Sequence, residues 1–137
     1  KRITKSEYLA RYRVADLFLD TLPFNAATTA SDALRMGLPV LTCLGNSMVS
    51  RMGASLLNAV NLPEMIKTNQ EEYEAFAIEL AMDPEKLKII NNKLANNLPT
   101  ARLYDTPLFT KNLESAYLTM YDKYLKGLDL EHIYLDH

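Results

Sequence analysis

A strand, a helix and a second strand joined by short connections leave a chain few ways to fold, and residues 15–44 carry that pattern. Ala15-Asp16-Leu17-Phe18-Leu19-Asp20 is an apolar run closed by an acid and predicts a short buried strand. Pro23 and Asn25 place a loop after it. Thr29 and Asp32 have the capping-box spacing S/T-x-x-D/E, and Gly37 suits the position just past a helix end, so a helix of about two to three turns is expected between them. Leu38-Pro39-Val40-Leu41-Thr42-Cys43-Leu44 then predicts a second buried strand, ending at Gly45-Asn46. Such a βαβ unit implies parallel strands and a right-handed crossover.

The flanks are mainly helical. Residues 6–14 place Tyr8, Leu9 and Tyr12 at helical spacing, with Ser6 as the expected N-cap. Met52, Leu56, Ala59 and Val60 share a helix face that stops before Pro63. Residues 64–67 read as a short edge strand, with Thr68 or Asn69 capping a helix lined by Tyr73, Phe76, Ala77, Leu80 and Ala81. Asp83 and Pro84 start another, whose stripe is Leu87, Ile90, Leu94 and Leu98. After a connector over 99–107, a last helix over 108–125 is expected to turn Phe109, Leu113, Ala116, Tyr117, Met120 and Tyr124 inward and to end at Gly127. The tail, 128–137, has no clear period. Doubly wound domains average about five to six strands, so two or three strands predict an α/β chain that is the distal part of a Rossmann-like parallel-sheet domain with additional C-terminal helices. Residues 1–126 would form that partial domain and 127–137 a tail.

Composition narrows the partners. At 137 residues, 48% apolar and 23% charged with net charge −2, the chain has the balance of an ordinary globular domain and no electrostatic bias toward nucleic acid or an anionic membrane. No apolar run reaches the roughly 18 residues of a membrane span, and no signal peptide follows the basic start, which makes the cytoplasm the default location. One cysteine excludes an internal disulfide, and with two histidines a structural zinc site is not expected. Cys43, within an apolar strand, reads as a buried small hydrophobe. His132 and His137 have no evident partner. The chain opens at Lys1 without a methionine and enters patterned sequence at once, which suggests a segment of something longer.

Ligands of parallel sheets bind beyond the carboxyl ends of the strands, here in the loops 21–28 and 45–48. Asn25-Ala26-Ala27-Thr28-Thr29 leads into a helix whose free N–H groups and positive dipole end favour a phosphate. Ala26 and Ala27 permit close approach, the threonines add hydroxyls, and Asp32 one turn on suits ribose hydroxyls. The plainer reading is that Thr29 and Asp32 are an ordinary capping box and that Asp20 caps its following loop. Neither a G-x-G-x-x-G nor a Walker lysine motif is present, and no Ser/His/Asp or Cys/His arrangement can be assembled.

Taken together, Val14-Ala15-Asp16-Leu17-Phe18-Leu19-Asp20-Thr21, Asn25-Ala26-Ala27-Thr28-Thr29-Ala30-Ser31-Asp32-Ala33-Leu34 and Gly37-Leu38-Pro39-Val40-Leu41-Thr42 resemble the protein O-linked N-acetylglucosamine transferases, or SPINDLY-like family, and their bacterial homologues. Ser50-Arg51-Met52-Gly53-Ala54-Ser55-Leu56-Leu57, Gln70-Glu71-Glu72-Tyr73 and Asp105-Thr106-Pro107-Leu108-Phe109-Thr110 extend the similarity over nearly all of residues 1–125. The resemblance implies the distal part of the C-terminal, donor-binding domain of a GT-B glycosyltransferase. It implies a UDP-sugar donor whose diphosphate is held by Thr28 and Thr29 and whose ribose is bonded by Asp32, with Lys5 and Arg11 contacting the nucleotide and Tyr8 stacking near the uracil. The leaving diphosphate is stabilised in such enzymes by helix N–H groups, hydroxyls and lysine, with no cofactor and no metal. The acceptor would be a protein Ser/Thr recruited through upstream regions that include tetratricopeptide repeats. Catalytic residues would also lie upstream, leaving none in this fragment and the isolated chain inactive.

The sequence departs from the family at two points. Ala27 stands where histidine often supports the diphosphate, and Tyr8 stands where histidine is common. Ala27 motivates the alternative of a non-catalytic Rossmann-like interaction or regulatory module that has lost donor binding. A phospho-receiver-like domain, suggested by length and Asp20, lacks the acidic pair and lysine that its chemistry needs.

Overall fold

The computed structural model describes residues 3–135; Lys1 and His137 lie outside them. The chain divides between Ala101 and Arg102 into two compact units.

The first unit is built on a three-stranded parallel sheet, in the order β1 (Phe18–Leu19), β2 (Val40–Cys43), β3 (Ile66–Lys67). Phe18 lies opposite Val40, and Thr42 opposite Ile66. All four residues of β2 are buried, as its unbroken apolar and β-branched run requires of a central strand. β1, which lies at the edge of the sheet formed by the described residues, is shorter than the expected 15–20. Phe18 N–H donates to Pro39 O at 2.9 Å and Asp20 N–H to Leu41 O at 2.9 Å at the two ends of this short ladder to β2, and Leu19 remains 53% exposed.

The described residues also form six α-helices, with short 3-10 turns between several of them: α1 (Lys5–Ala10), α2 (Thr28–Arg35), α3 (Met52–Ala59), α4 (Gln70–Met82), α5 (Pro84–Asn97) and α6 (Thr106–Leu125). Alternation along β2 assigns the layers. Gly53 of α3 lies against Thr42, whereas Phe76 of α4 lies under the ammonium of Lys67, the partner of Cys43 in the ladder. Helices therefore cover both faces, with α3 on the Thr42 side and α4 on the Cys43 side. Ala30, Ala33 and Leu34 from α2, Leu57 from α3, Leu80 from α4 and Ile90 and Leu94 from α5 form the core with Val40 and Leu41.

Local chemistry sets the helix starts. Thr4, not Ser6, caps α1: its hydroxyl accepts from Glu7 N–H at 3.2 Å while the Glu7 carboxylate accepts from Thr4 N–H at 2.8 Å. This T-x-x-E box lies two residues upstream of the serine. Asn69 caps α4 through Glu72 N–H, Asp83 caps α5 through Lys86 N–H, and Asp105 caps α6 through Leu108 N–H. Gly37, at φ 81°, ends α2 in the left-handed region that favours glycine.

Two further expectations fail. α2 has no capping box: its N-cap is Ala27, which makes no side-chain bond, and Thr28 and Thr29 are already inside the first turn. The helix in the second unit, α6, buries none of its residues, and Phe109, Leu113, Tyr117, Met120 and Tyr124 are exposed. The tail after Gly127 turns back on α6, through Leu128 N–H to Lys123 O and the Lys123–Glu131 ion pair, but does not cover this stripe.

Candidate functional site

The loops that follow β1 and β2 are fastened together at the carboxyl end of the sheet. Asp20, 2% exposed, is the anchor. Its Oδ1 accepts from Thr21 N–H at 2.9 Å and Ala26 N–H at 2.7 Å, and its Oδ2 accepts from the Thr42 hydroxyl at 2.6 Å. A buried carboxylate needs such charge-assisted bonds to offset its desolvation. It thus does cap its loop, and its bond to Thr42 also fixes the residue before Ala27 to the central strand. Gly53 is required beside it: a Cβ there would stand 2.5 Å from both Asp20 Oδ2 and Thr42 Oγ1.

Asn25 is fully buried and donates its backbone N–H to Val49 O at 3.1 Å and its side-chain Nδ2 to Thr21 O at 3.1 Å. Its Oδ1 has no partner among the described residues. On the second loop, Gly45 N–H donates to Ser50 O at 2.9 Å, and the Ser47 and Ser50 hydroxyls lie 2.9 Å apart.

This framework holds the start of α2 open. Ala27 offers no acceptor, and Ser31 N–H is the first to close a helical bond, to Ala27 O at 2.9 Å. The N–H groups of Thr28, Thr29 and Ala30 therefore have no acceptor among the described residues, in the geometry that attracts an anion. Thr28 and Thr29 are exposed and Asp32 is half-buried one turn on.

α1 approaches the same turn through tyrosines. The Tyr8 and Tyr12 hydroxyls are 2.7 Å apart, their rings meet edge to face with centroids at 5.6 Å, and the Tyr12 hydroxyl donates to Thr29 O at 3.2 Å. Burial, then the Tyr8 bond and the negative charge of Asp32, push the Tyr12 phenol above its ordinary range, so it stays protonated near neutral pH. Of the predicted site residues, the structure thus brings Tyr8, Ala27, Thr28, Thr29 and Asp32 together. Arg11 lines a concavity of about 400 Å³ with Tyr8, Tyr12 and Leu38. Lys5 is exposed in the first turn of α1, with no bond to α2 among the described residues. α1 yields to a tighter turn at Arg11, so the even spacing of Lys5, Tyr8 and Arg11 does not run along one regular helix.

Sequence reasoning missed Tyr12 and Gly53. The four-residue spacing of Tyr8 and Tyr12 was the available signal for the first; nothing local marks the second. Cys43 is buried as expected, and burial raises its thiol pKa.

The structure matches a mutant of the Thermobaculum terrenum O-GlcNAc transferase with a TM-score of 0.80 and 37% sequence identity, over 87% of this chain and 23% of that one. The fold is accordingly the distal part of a Rossmann-like domain of the GT-B glycosyltransferase class, with additional C-terminal helices. Residues 2–113 match glycosyl transferase family 41, and the chain belongs to that family. Relatives include a probable UDP-N-acetylglucosamine–peptide N-acetylglucosaminyltransferase SPINDLY of Petunia hybrida, 35% identical over 88% of this chain, and a protein of the same description, SEC, of Arabidopsis thaliana, 36% identical over 93%. The chain spans 13% of the length of each. No helix among the described residues is long and apolar enough to cross a membrane.

Proposed function

We propose that this chain is the donor-nucleotide-binding part of a protein O-glycosyltransferase that, within a longer protein, transfers N-acetylglucosamine from a UDP-sugar to protein Ser/Thr. The observation that carries this reading is the start of α2, where the N–H groups of Thr28, Thr29 and Ala30 have no acceptor among the described residues, Thr28 and Thr29 are exposed, and Ala27 supplies no side-chain cap. As the glycosidic bond breaks, negative charge grows on the leaving diphosphate; fixed donors at a helix N-terminus stabilise that charge with little reorganisation and without a metal ion. Asp32 accepts from ribose hydroxyls, while Lys5, Tyr8 and Arg11 flank the nucleoside. Ala27 contributes backbone only, which removes one side-chain donor relative to a histidine but also keeps the approach open.

The test is nucleotide affinity and transfer by the full-length protein. Thr29→Ala and Asp32→Ala are each expected to weaken UDP binding about tenfold or more, the effect of losing hydrogen bonds to charged or closely held groups. Wild-type affinity and rate in both variants would overturn the assignment. Absence of UDP binding by the wild type would favour the non-catalytic module.

A further inference from the structure

We propose that Tyr12 is a positioning residue for the donor site, its hydroxyl joining Tyr8 on α1 to the Thr29 backbone in the first turn of α2. The inference rests on the donor-site reading above and deepens it. Proton counting fixes the direction of the chain of bonds. A tyrosine hydroxyl has one proton, and a carbonyl only accepts. The 3.2 Å contact to Thr29 O therefore consumes the proton of Tyr12. The 2.7 Å contact between the two hydroxyls must then be donated by Tyr8. The raised pKa of Tyr12 keeps this count valid at neutral pH.

Two consequences follow from that order. The Tyr8 hydroxyl is left with lone pairs alone, so a ligand group that meets it must donate; ring N–H groups and ribose hydroxyls of a nucleoside do so. In addition, the nucleoside flank on α1 and the phosphate flank on α2 are held in one register by a single side chain that need not touch the ligand itself. The edge-to-face packing of the rings, at 81° between planes, keeps Tyr12 in place for both bonds.

The experiment compares Tyr12→Phe, Tyr8→Phe and the double variant in the full-length protein, with UDP affinity measured by calorimetry and transfer from UDP-N-acetylglucosamine measured kinetically. Removing the Tyr12 hydroxyl keeps the ring and its packing. It should weaken UDP binding about fivefold, the worth of one net hydrogen bond, and raise KM for the donor by the same factor with kcat within about twofold. Adding Tyr8→Phe to Tyr12→Phe should weaken binding by less than Tyr8→Phe does alone, because its hydrogen-bond acceptor is already gone. Unchanged UDP affinity in Tyr12→Phe, with Thr29→Ala still impaired, overturns the positioning role and leaves the donor site standing. A loss confined to kcat overturns it as well. Unchanged affinity and rate in both Thr29→Ala and Asp32→Ala overturn the donor-site reading, and the role of Tyr12 with it.

Discussion

Gly53→Ala puts the framework under the site to a quantitative test. The new methyl would lie 2.5 Å from Asp20 Oδ2, 2.5 Å from Thr42 Oγ1 and 2.9 Å from Thr42 Cβ, so a buried carboxylate or the central strand has to move. Overpacking of this kind costs about 1–3 kcal/mol, and separating the Thr42 hydroxyl from the Asp20 carboxylate forfeits a charge-assisted bond worth about 1.5–3 kcal/mol. Opposing this, alanine is a better helix former than glycine by about 1 kcal/mol. The balance is a loss of about 1.5–5 kcal/mol, read as a lower urea midpoint at unchanged slope. The cause is checked by making the same change in an Asp20→Ala background. There the carboxylate that the methyl strikes is gone, so Gly53→Ala should cost clearly less than it does in the wild type. A Gly53→Ala protein as stable as the wild type, or a cost unchanged by Asp20→Ala, would refute the account of the Asp20–Thr42–Gly53 contact.

Two further outcomes follow from titrating groups. Glu72 accepts from Thr68 N–H and Thr68 Oγ, and from Asn69 and Lys67 it gains further favour for its charged form, so its carboxyl titrates below the usual range. A carboxylate depressed in the folded state contributes stability that is complete above its unfolded value, near 4.5, and is lost as pH falls through the lower folded value. Glu72→Gln should therefore flatten the acid side of a stability–pH profile and leave its neutral region with the same shape. Cys43 is 4% exposed with its thiol pKa raised by burial, so a disulfide reagent should not modify it in the native protein at pH 7–8 and should do so stoichiometrically in urea.

What could be read from sequence alone depended on whether the signal was local. The β2 run, the caps Asn69 and Asp83 and the stop at Gly37 each rest on a few adjacent residues and survive in the structure. The capping box at Thr29 does not, because Thr28 and Thr29 are chemically alike and the spacing to Asp32 says nothing about where the first helical turn closes. Strand β1 pairs over only Phe18 and Leu19 among the described residues, so its apolar run overstates the extent of that pairing. Asp20 was legible as a loop cap, yet its bond to Thr42 follows only from the register that places Leu19 beside Leu41. Tyr12 acquires its role from the approach of α1 to α2, a fact of tertiary structure. The stripe on α6 is present in sequence, but a stripe does not specify what covers it.

The bare start of α2 sets stability against openness at one position. A serine, threonine, asparagine or aspartate at 27 in place of Ala27 would engage the first-turn N–H groups and strengthen the helix by about 1 kcal/mol. An aspartate would also satisfy the dipole with its own charge. Either gain would be made with the same donors that an incoming anion needs, so a chain optimised for thermal resistance and one optimised to receive a phosphate would differ here first. Libraries selected for heat tolerance alone should drift toward capping residues at 27, and the extent of that drift under concurrent selection for nucleotide binding would report how strongly the two demands compete.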